Sequence, residues 1–210
     1  SLQEGDIDQA LARIDAARRR WIELGRPVDA FRTELGHMHV LDEQGRHEEA
    51  IRVAEHLLAD LEAHVASGSE AGDEALLVWL RAAALENLGI ALGLTGRHDR
   101  ALQAYADAET IYRDGGEEAD EARLRGNRGV ALTALGRPME ALAALGSAAA
   151  VFTRHDDRLS AAMCTSNAAE RNMLRPVSLT HRVALSLKVA AGVCGAHVPF
   201  EKVWEGMTRL

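Results

Sequence analysis

Asparagine is rare in this sequence, and it is regularly spaced. Of the four asparagines in 210 residues, three recur at steps of 40 residues, and we call them the asparagine series: Asn87, Asn127 and Asn167. Each side-chain amide offers one acceptor and two donors, and a peptide backbone presents the same kinds of group. A row of such amides therefore suits the binding of an extended peptide. The alternative is that each amide bonds within the protein and fixes how its units stack.

Other polar groups give weaker signals of chemistry. A helix that carries His56, Asp60 and His64 would place all three side chains on one face, because they lie four residues apart. Imidazole and carboxylate groups can ligate a metal, but such a face is usually solvated, and we predict no metal site. The sequence contains no phosphate-binding loop, zinc-protease motif or serine-hydrolase motif. We therefore expect neither an enzyme nor a bound cofactor.

Charge and hydropathy argue against two classes of partner. The formal net charge is −8, which repels phosphate backbones, so no nucleic-acid partner is expected. No run of 18 apolar residues is present, so no membrane partner is expected. The two cysteines, Cys164 and Cys194, fit no metal or redox motif, and they indicate reduced thiols in a cytoplasmic protein.

The asparagine series belongs to a longer internal repeat. Residues 87–104 (NLGIALGLTGRHDRALQA) and 127–144 (NRGVALTALGRPMEALAA) are identical at nine positions with an offset of 40 residues. Partial copies begin near residues 5 and 45, and an insertion at 64–74 lengthens one repeat. Recurring small residues form a repeat signature: Gly45, Ala50, Gly89, Gly96, Ala101, Gly129, Gly136 and Ala141.

Each repeat predicts two helices joined by a tight turn. Leu85, Leu88 and Leu92 recur at helical spacing, and Gly96 falls where a helix end favours a left-handed residue. A glycine inside a helix costs about 1 kcal/mol relative to alanine, so we expect Gly89 to permit a close approach of the paired helix. We predict an all-α solenoid with helices near 6–24, 27–43, 46–66, 72–95, 98–114, 117–135, 138–154, 157–174 and 177–194, and a short terminal helix from about residue 199.

The repeat resembles the tetratricopeptide repeat (TPR), which has small and bulky residues at fixed positions. The residues that match these positions include Leu85, Gly89, Leu92, Ala101 and Tyr105. Its 40-residue period is similar to the long-helix subtype of kinesin light chains and Leu-Gly-Asn-repeat adaptor proteins, and its composition resembles bacterial, specifically actinobacterial, multidomain TPR proteins. The resemblance implies a right-handed superhelix. Its expected parts are a TPR array at 1–176 (half-repeat 5–24, repeats about 27–66, 72–114 and 117–154, first helix of the last repeat 157–174) and a degenerate last helix with a C-terminal cap at 177–210.

In the TPR architecture the first helix of each pair lines a concave groove, so the resemblance places the asparagine series in that groove. Position counting adds His39, Glu86 and Glu170 as peptide-binding candidates. Arg123, four residues before Asn127, could hold a ligand carboxylate. The resemblance implies a protein- or peptide-binding scaffold, expected to be an arm of a larger regulatory or signalling protein. The alternative is a structural or self-association module with an empty or tail-filled groove, in which the C-terminal segment forms homo-oligomers.

Overall fold

The computed structural model describes residues 2–68 and 73–172, with side chains described for 8–68 and 73–169. These residues contain no strand, and they form eight helices: α1 (Leu2–Glu23), α2 (Pro27–Glu43), α3 (His47–Ala66), α4 (Glu74–Leu94), α5 (His98–Gly115), α6 (Glu118–Ala134), α7 (Pro138–Arg154) and α8 (Arg158–Asn172). The all-α fold is confirmed, and these helices lie close to their predicted bounds. The helices and cap predicted after residue 176 lie outside the described residues.

The chain divides into two compact units, Ser1–Gly115 and Gly116–Leu210. In the first unit, α2 packs against α1, α3 and α4, and α4 also packs against α3 and α5. In the second unit, α6, α7 and α8 all contact one another. In the first unit, the pair α2–α3 is followed by α4–α5, and the first helices of the two pairs, α2 and α4, are in contact. In the second unit, the pair α6–α7 is followed by α8, and α6 contacts α8. This arrangement is that of a helical repeat solenoid.

Glycines with positive φ end the helices at the turns between them. After α4, Gly96 has a φ of +79°. Its N–H donates to the oxygen of Gly93 at 3.1 Å, and the N–H of Arg97 donates to the oxygen of Leu92 at 2.8 Å. These two bonds form a Schellman motif, which satisfies carbonyl groups at the helix end. The same pair of bonds recurs around Gly136, so the repeat signature specifies the turn.

Two further glycines of the signature lie where paired helices approach closely. A Cβ atom added at Gly89 of α4 would lie 2.7 Å from Cδ1 of Tyr105 on α5. A Cβ atom added at Gly129 of α6 would lie 2.5 Å from Cγ of Leu145 on α7. The predicted packing role of the helical glycine is thus confirmed. The alanines of the signature are buried on the second helices of their pairs, α3, α5 and α7: Ala50, Ala101 and Ala141.

Helix α4 is the most apolar of the described helices, and it lies at the centre of the first unit. Its length and composition would allow it to cross a bilayer, and among the described residues it is the only helix of this kind. However, 61% of its most apolar stretch is buried inside the protein. Its apolar character therefore follows from its contacts with α2, α3 and α5.

Candidate functional site

Asn87 lies on α4 in the first unit, and one of its two side-chain donors is already used. Its Nδ2 donates to the backbone oxygen of Ala83, one turn earlier, at 2.8 Å. Glu86, which we predicted to contact a peptide, is only 6% exposed and interacts within the protein. The surface of α4 around Asn87 is therefore largely occupied by contacts of the protein itself.

Asn127 and Asn167 lie on α6 and α8 in the second unit, and these two helices contact each other. Both residues are half-buried. Within residues 8–68 and 73–169, neither side-chain amide has a hydrogen-bond partner. Val130 and Met163 are exposed, each about one helical turn from an asparagine of the series. This face, which we call the α6–α8 face, presents two open amides beside two exposed apolar side chains.

The charged candidates are paired with neighbours in their own helices. Nη2 of Arg123 lies 2.7 Å from Oδ1 of Asp120 on α6. Nε2 of His39 lies 3.4 Å from Oε1 of Glu43 on α2, where both side chains are exposed. A ligand carboxylate at Arg123 would have to compete with Asp120. The side chain of Glu170 lies outside the described residues.

An open cavity of about 600 Å³ lies between α3 and α4 in the first unit. Val65 and Val78 lie on its wall, and more than half of each side chain is exposed. The sequence pattern did not indicate this cavity, because it forms between the second helix of one pair and the first helix of the next. It is lined mainly by apolar residues and is bordered by charged ones: Leu58, Leu61, Leu77 and Leu85, with Glu55, Glu62, Glu74 and Arg81.

Four charged or polar side chains from α1, α2 and α3 meet in the first unit. Nε of Arg18 contacts Oε1 of Glu34, and Nη2 of Arg18 lies 3.8 Å from Oδ2 of Asp60. Nδ1 of His56 lies 3.2 Å from the same oxygen of Asp60. Glu34 is 5% exposed, and this burial raises the pKa of its carboxyl group despite the attraction of Arg18. The spacing of His56 and Asp60 predicted that they share a face, but no pattern in the sequence marks Arg18 or Glu34 as their neighbours.

The chain matches no protein-family model and no curated protein sequence. Among solved structures it is similar to the crystal structure of BtubC (BKLC) from P. vanneervenii, with 18% sequence identity and a TM-score of 0.64. The match covers 92% of this chain and 74% of BtubC. At this level of identity the likeness concerns the fold alone. Together with the stacked helix pairs within each unit, it supports a helical repeat solenoid fold.

Proposed function

We propose that this chain is a tetratricopeptide-type module that binds a peptide or protein segment and has no catalytic function of its own. The 40-residue register supports the TPR assignment, as do the close-packing Gly89 and Gly129 and the contact between successive first helices. Stacked helix pairs of this kind characteristically present extended binding surfaces. The proposal requires no cofactor.

The α6–α8 face is the surface that we assign to the ligand. The observation that carries this assignment is the pair of half-buried amides of Asn127 and Asn167, which have no hydrogen-bond partner in the described part of the chain. Half-burial removes part of the water around each amide, and the side chains described at 8–68 and 73–169 supply no replacement hydrogen bond. A bound peptide backbone would supply both donors and acceptors to these amides.

The surroundings of these amides indicate the chemistry of the ligand. Val130 and Met163 are exposed apolar side chains that would contact an apolar side chain of the ligand. Arg123 already pairs with Asp120 at 2.7 Å, so the face does not require a ligand carboxylate. We therefore expect an extended peptide segment that presents at least one apolar side chain and its own backbone groups.

The test is selection of peptides from a phage-displayed random library on the full 210-residue chain. Selected peptides are then titrated by fluorescence anisotropy against the wild type and the double variant Asn127→Ala, Asn167→Ala. Two hydrogen bonds of about 0.5–1.5 kcal/mol each correspond to a loss of affinity of roughly 5- to 150-fold. Gln103→Ala is the matched control, because it removes an exposed amide on α5 and should leave affinity unchanged.

Circular dichroism of each variant must first show that the helices are intact. Peptides that bind the wild type and the double variant equally would contradict the assignment of the α6–α8 face. If no peptide is selected and the chain sediments as a dimer, the peptide-binding proposal is wrong and the self-association alternative is favoured.

A further inference from the structure

A second site, chemically distinct from the α6–α8 face, occurs in the first unit. Glu34, His56 and Asp60 each offer one ligand atom, and these atoms all lie within 4.8 Å of one another. Glu34 lies on α2, whereas His56 and Asp60 lie on α3. The proposed peptide-binding surface lies in the other unit and uses none of these groups.

Glu34 gives the clearest indication that a cation belongs in this cluster. Its Oε1 contacts Nε of Arg18. Its Oε2 is buried and has no hydrogen-bond partner among the described residues. A buried carboxylate oxygen is unfavourable unless a donor, a proton or a cation compensates for the lost water. The contact with Arg18 compensates for only one of the two oxygens.

His56 and Asp60 already have the spacing of two metal ligands. They lie four residues apart on α3, and Nδ1 of His56 is 3.2 Å from Oδ2 of Asp60. Ligand bonds to zinc of about 2.0–2.1 Å in a tetrahedron place neighbouring ligand atoms about 3.3 Å apart. The two side chains can therefore bind one ion in their present positions. The ligand atom of Glu34 lies within 4.8 Å of both, and it would have to move closer to the ion to complete a third bond.

We propose that Glu34, His56 and Asp60 bind a divalent transition-metal ion, for which zinc is the best match. The imidazole nitrogen favours zinc, nickel or copper over magnesium and calcium, which prefer oxygen ligands. Arg18 is a positioning residue, because its contact with Oε1 of Glu34 orients the carboxylate and leaves Oε2 available. Three protein ligands leave at least one coordination position for water or an added ligand.

His64 shares this face of α3 in the sequence pattern, but it is not one of the ligands. Its ring packs edge-on against Phe31, with the two ring centroids 5.6 Å apart. The third ligand is instead the buried Glu34 on the neighbouring helix α2, so the site links α2 to α3. Binding of the ion should in consequence raise the melting temperature of the protein.

The chain contains a matched control in the pair His39 and Glu43. These residues also lie four apart on one helix, and Nε2 of His39 is 3.4 Å from Oε1 of Glu43. Both side chains are exposed, and within residues 8–68 and 73–169 this pair has no third ligand close enough to complete a cluster. Weak binding by any exposed histidine–carboxylate pair would thus affect both pairs equally.

The experiment is isothermal titration of zinc chloride into the full, tag-free, chelator-treated chain, with cobalt(II) absorption as a second readout. We expect one ion per chain in the wild type. Loss of outer-sphere partners alone weakens metal affinity about 10–100-fold, so loss of a ligand in His56→Ala or Glu34→Gln should weaken it at least about tenfold. His39→Ala should bind as the wild type does. The side chain of His56 is 62% exposed, so His56→Ala should fold normally.

Three results would overturn the proposal. The first is a wild-type chain that takes up no zinc. The second is equal weakening in His56→Ala and His39→Ala, which would mean that any exposed pair binds the ion. The third is a folded Glu34→Gln variant with wild-type affinity, which would show that the buried carboxylate is not a ligand. A cobalt(II) spectrum that changes in His56→Ala and Glu34→Gln but not in His39→Ala would support it.

Discussion

Replacement of Gly89 by alanine should destabilise the protein, although alanine is the better helix former. Gly89 lies within α4, and an added Cβ atom would lie 2.7 Å from Cδ1 and 2.9 Å from Cζ of Tyr105 on α5. Carbon atoms in contact are normally about 3.5–4.0 Å apart. Tyr105 is buried, so its ring is surrounded by protein and not by solvent. Either the ring or the two helices must move.

The expected magnitude follows from two opposing terms. Alanine in place of glycine inside a helix contributes about 1 kcal/mol of stability. Insertion of a methyl group into a packed core costs about 1–3 kcal/mol, and three close contacts with a rigid ring place Gly89→Ala near the upper end of that range. The free energy of unfolding should therefore fall by about 2 kcal/mol, which corresponds to roughly 4–8 °C in melting temperature for a chain of this size.

Gly36→Ala is the matched control on α2. An added Cβ atom there would meet nothing within 4 Å, so the same substitution should raise the free energy of unfolding by about 1 kcal/mol. Urea unfolding of both variants and the wild type, followed by far-ultraviolet circular dichroism, measures the difference of about 3 kcal/mol between them.

A Gly89→Ala variant that is as stable as the wild type would refute this reasoning, because it would show that α4 and α5 are not closely packed at Tyr105. A double-mutant cycle adds a specific check. In the Tyr105→Leu background the same glycine substitution should cost less, with a coupling free energy of about 0.5–3 kcal/mol.

Two further predictions concern a turn and a charged pair. Gly96→Ala places a side chain at a φ of +79°, which should lower the free energy of unfolding by about 1–2 kcal/mol. Urea unfolding measures this change. An unchanged midpoint would mean that the turn does not need a residue with positive φ. A hydrogen bond from His155, together with the charge of Arg154, lowers the pKa of Glu118 below 4.5. Ionised Glu118 therefore stabilises the folded state above pH 4.5, and this contribution is lost as the pH falls through the lowered value. Acid unfolding of Glu118→Gln should be less steep below pH 4.5 than that of the wild type, and identical curves would contradict the expected role of the pair.

The bounds of several helices could be predicted from local sequence because strong signals mark both ends. Helices α2 and α7 have their predicted bounds, 27–43 and 138–154. Each begins at a proline, whose fixed φ and missing N–H suit the first turn of a helix. Each is followed by a residue with positive φ, Gly45 or Asp156, which ends the helix. These signals act within a few residues, so a single sequence contains them in full.

The cluster around Glu34 could not be predicted in the same way, because helical periodicity describes the face of one helix at a time. Periodicity correctly grouped His56 with Asp60, but it could not identify Glu34 on α2 or Arg18 on α1 as their neighbours. It also grouped His64 with them, whereas packing against Phe31 gives that ring another role. Glu86 shows the same limit, since position counting does not reveal that a carboxylate is 6% exposed.

The asparagine series shows that equivalent positions of the repeat need not have equivalent roles. Asn87 follows the buried Glu86 and donates to its own helix. Forty residues later, Asn127 follows Gly126, where an added Cβ atom would lie 3.4 Å from Sγ of Cys164 on α8. Gly126 of α6 and Cys164 of α8 thus lie close together beside Asn127, whose amide has no partner among the described residues.

Small residues shared by the repeats therefore specify the fold, whereas differences between the repeats determine which amides remain open. We predict that Asn127→Ala weakens the binding of selected peptides more than Asn87→Ala does. One donor of Asn87 is already bonded to Ala83, whereas the amide of Asn127 has no partner among the described residues. Anisotropy titrations of the two single variants with the same peptide measure the difference. Equal losses of affinity would mean that position in the repeat, rather than the local hydrogen bonding of each asparagine, determines recognition.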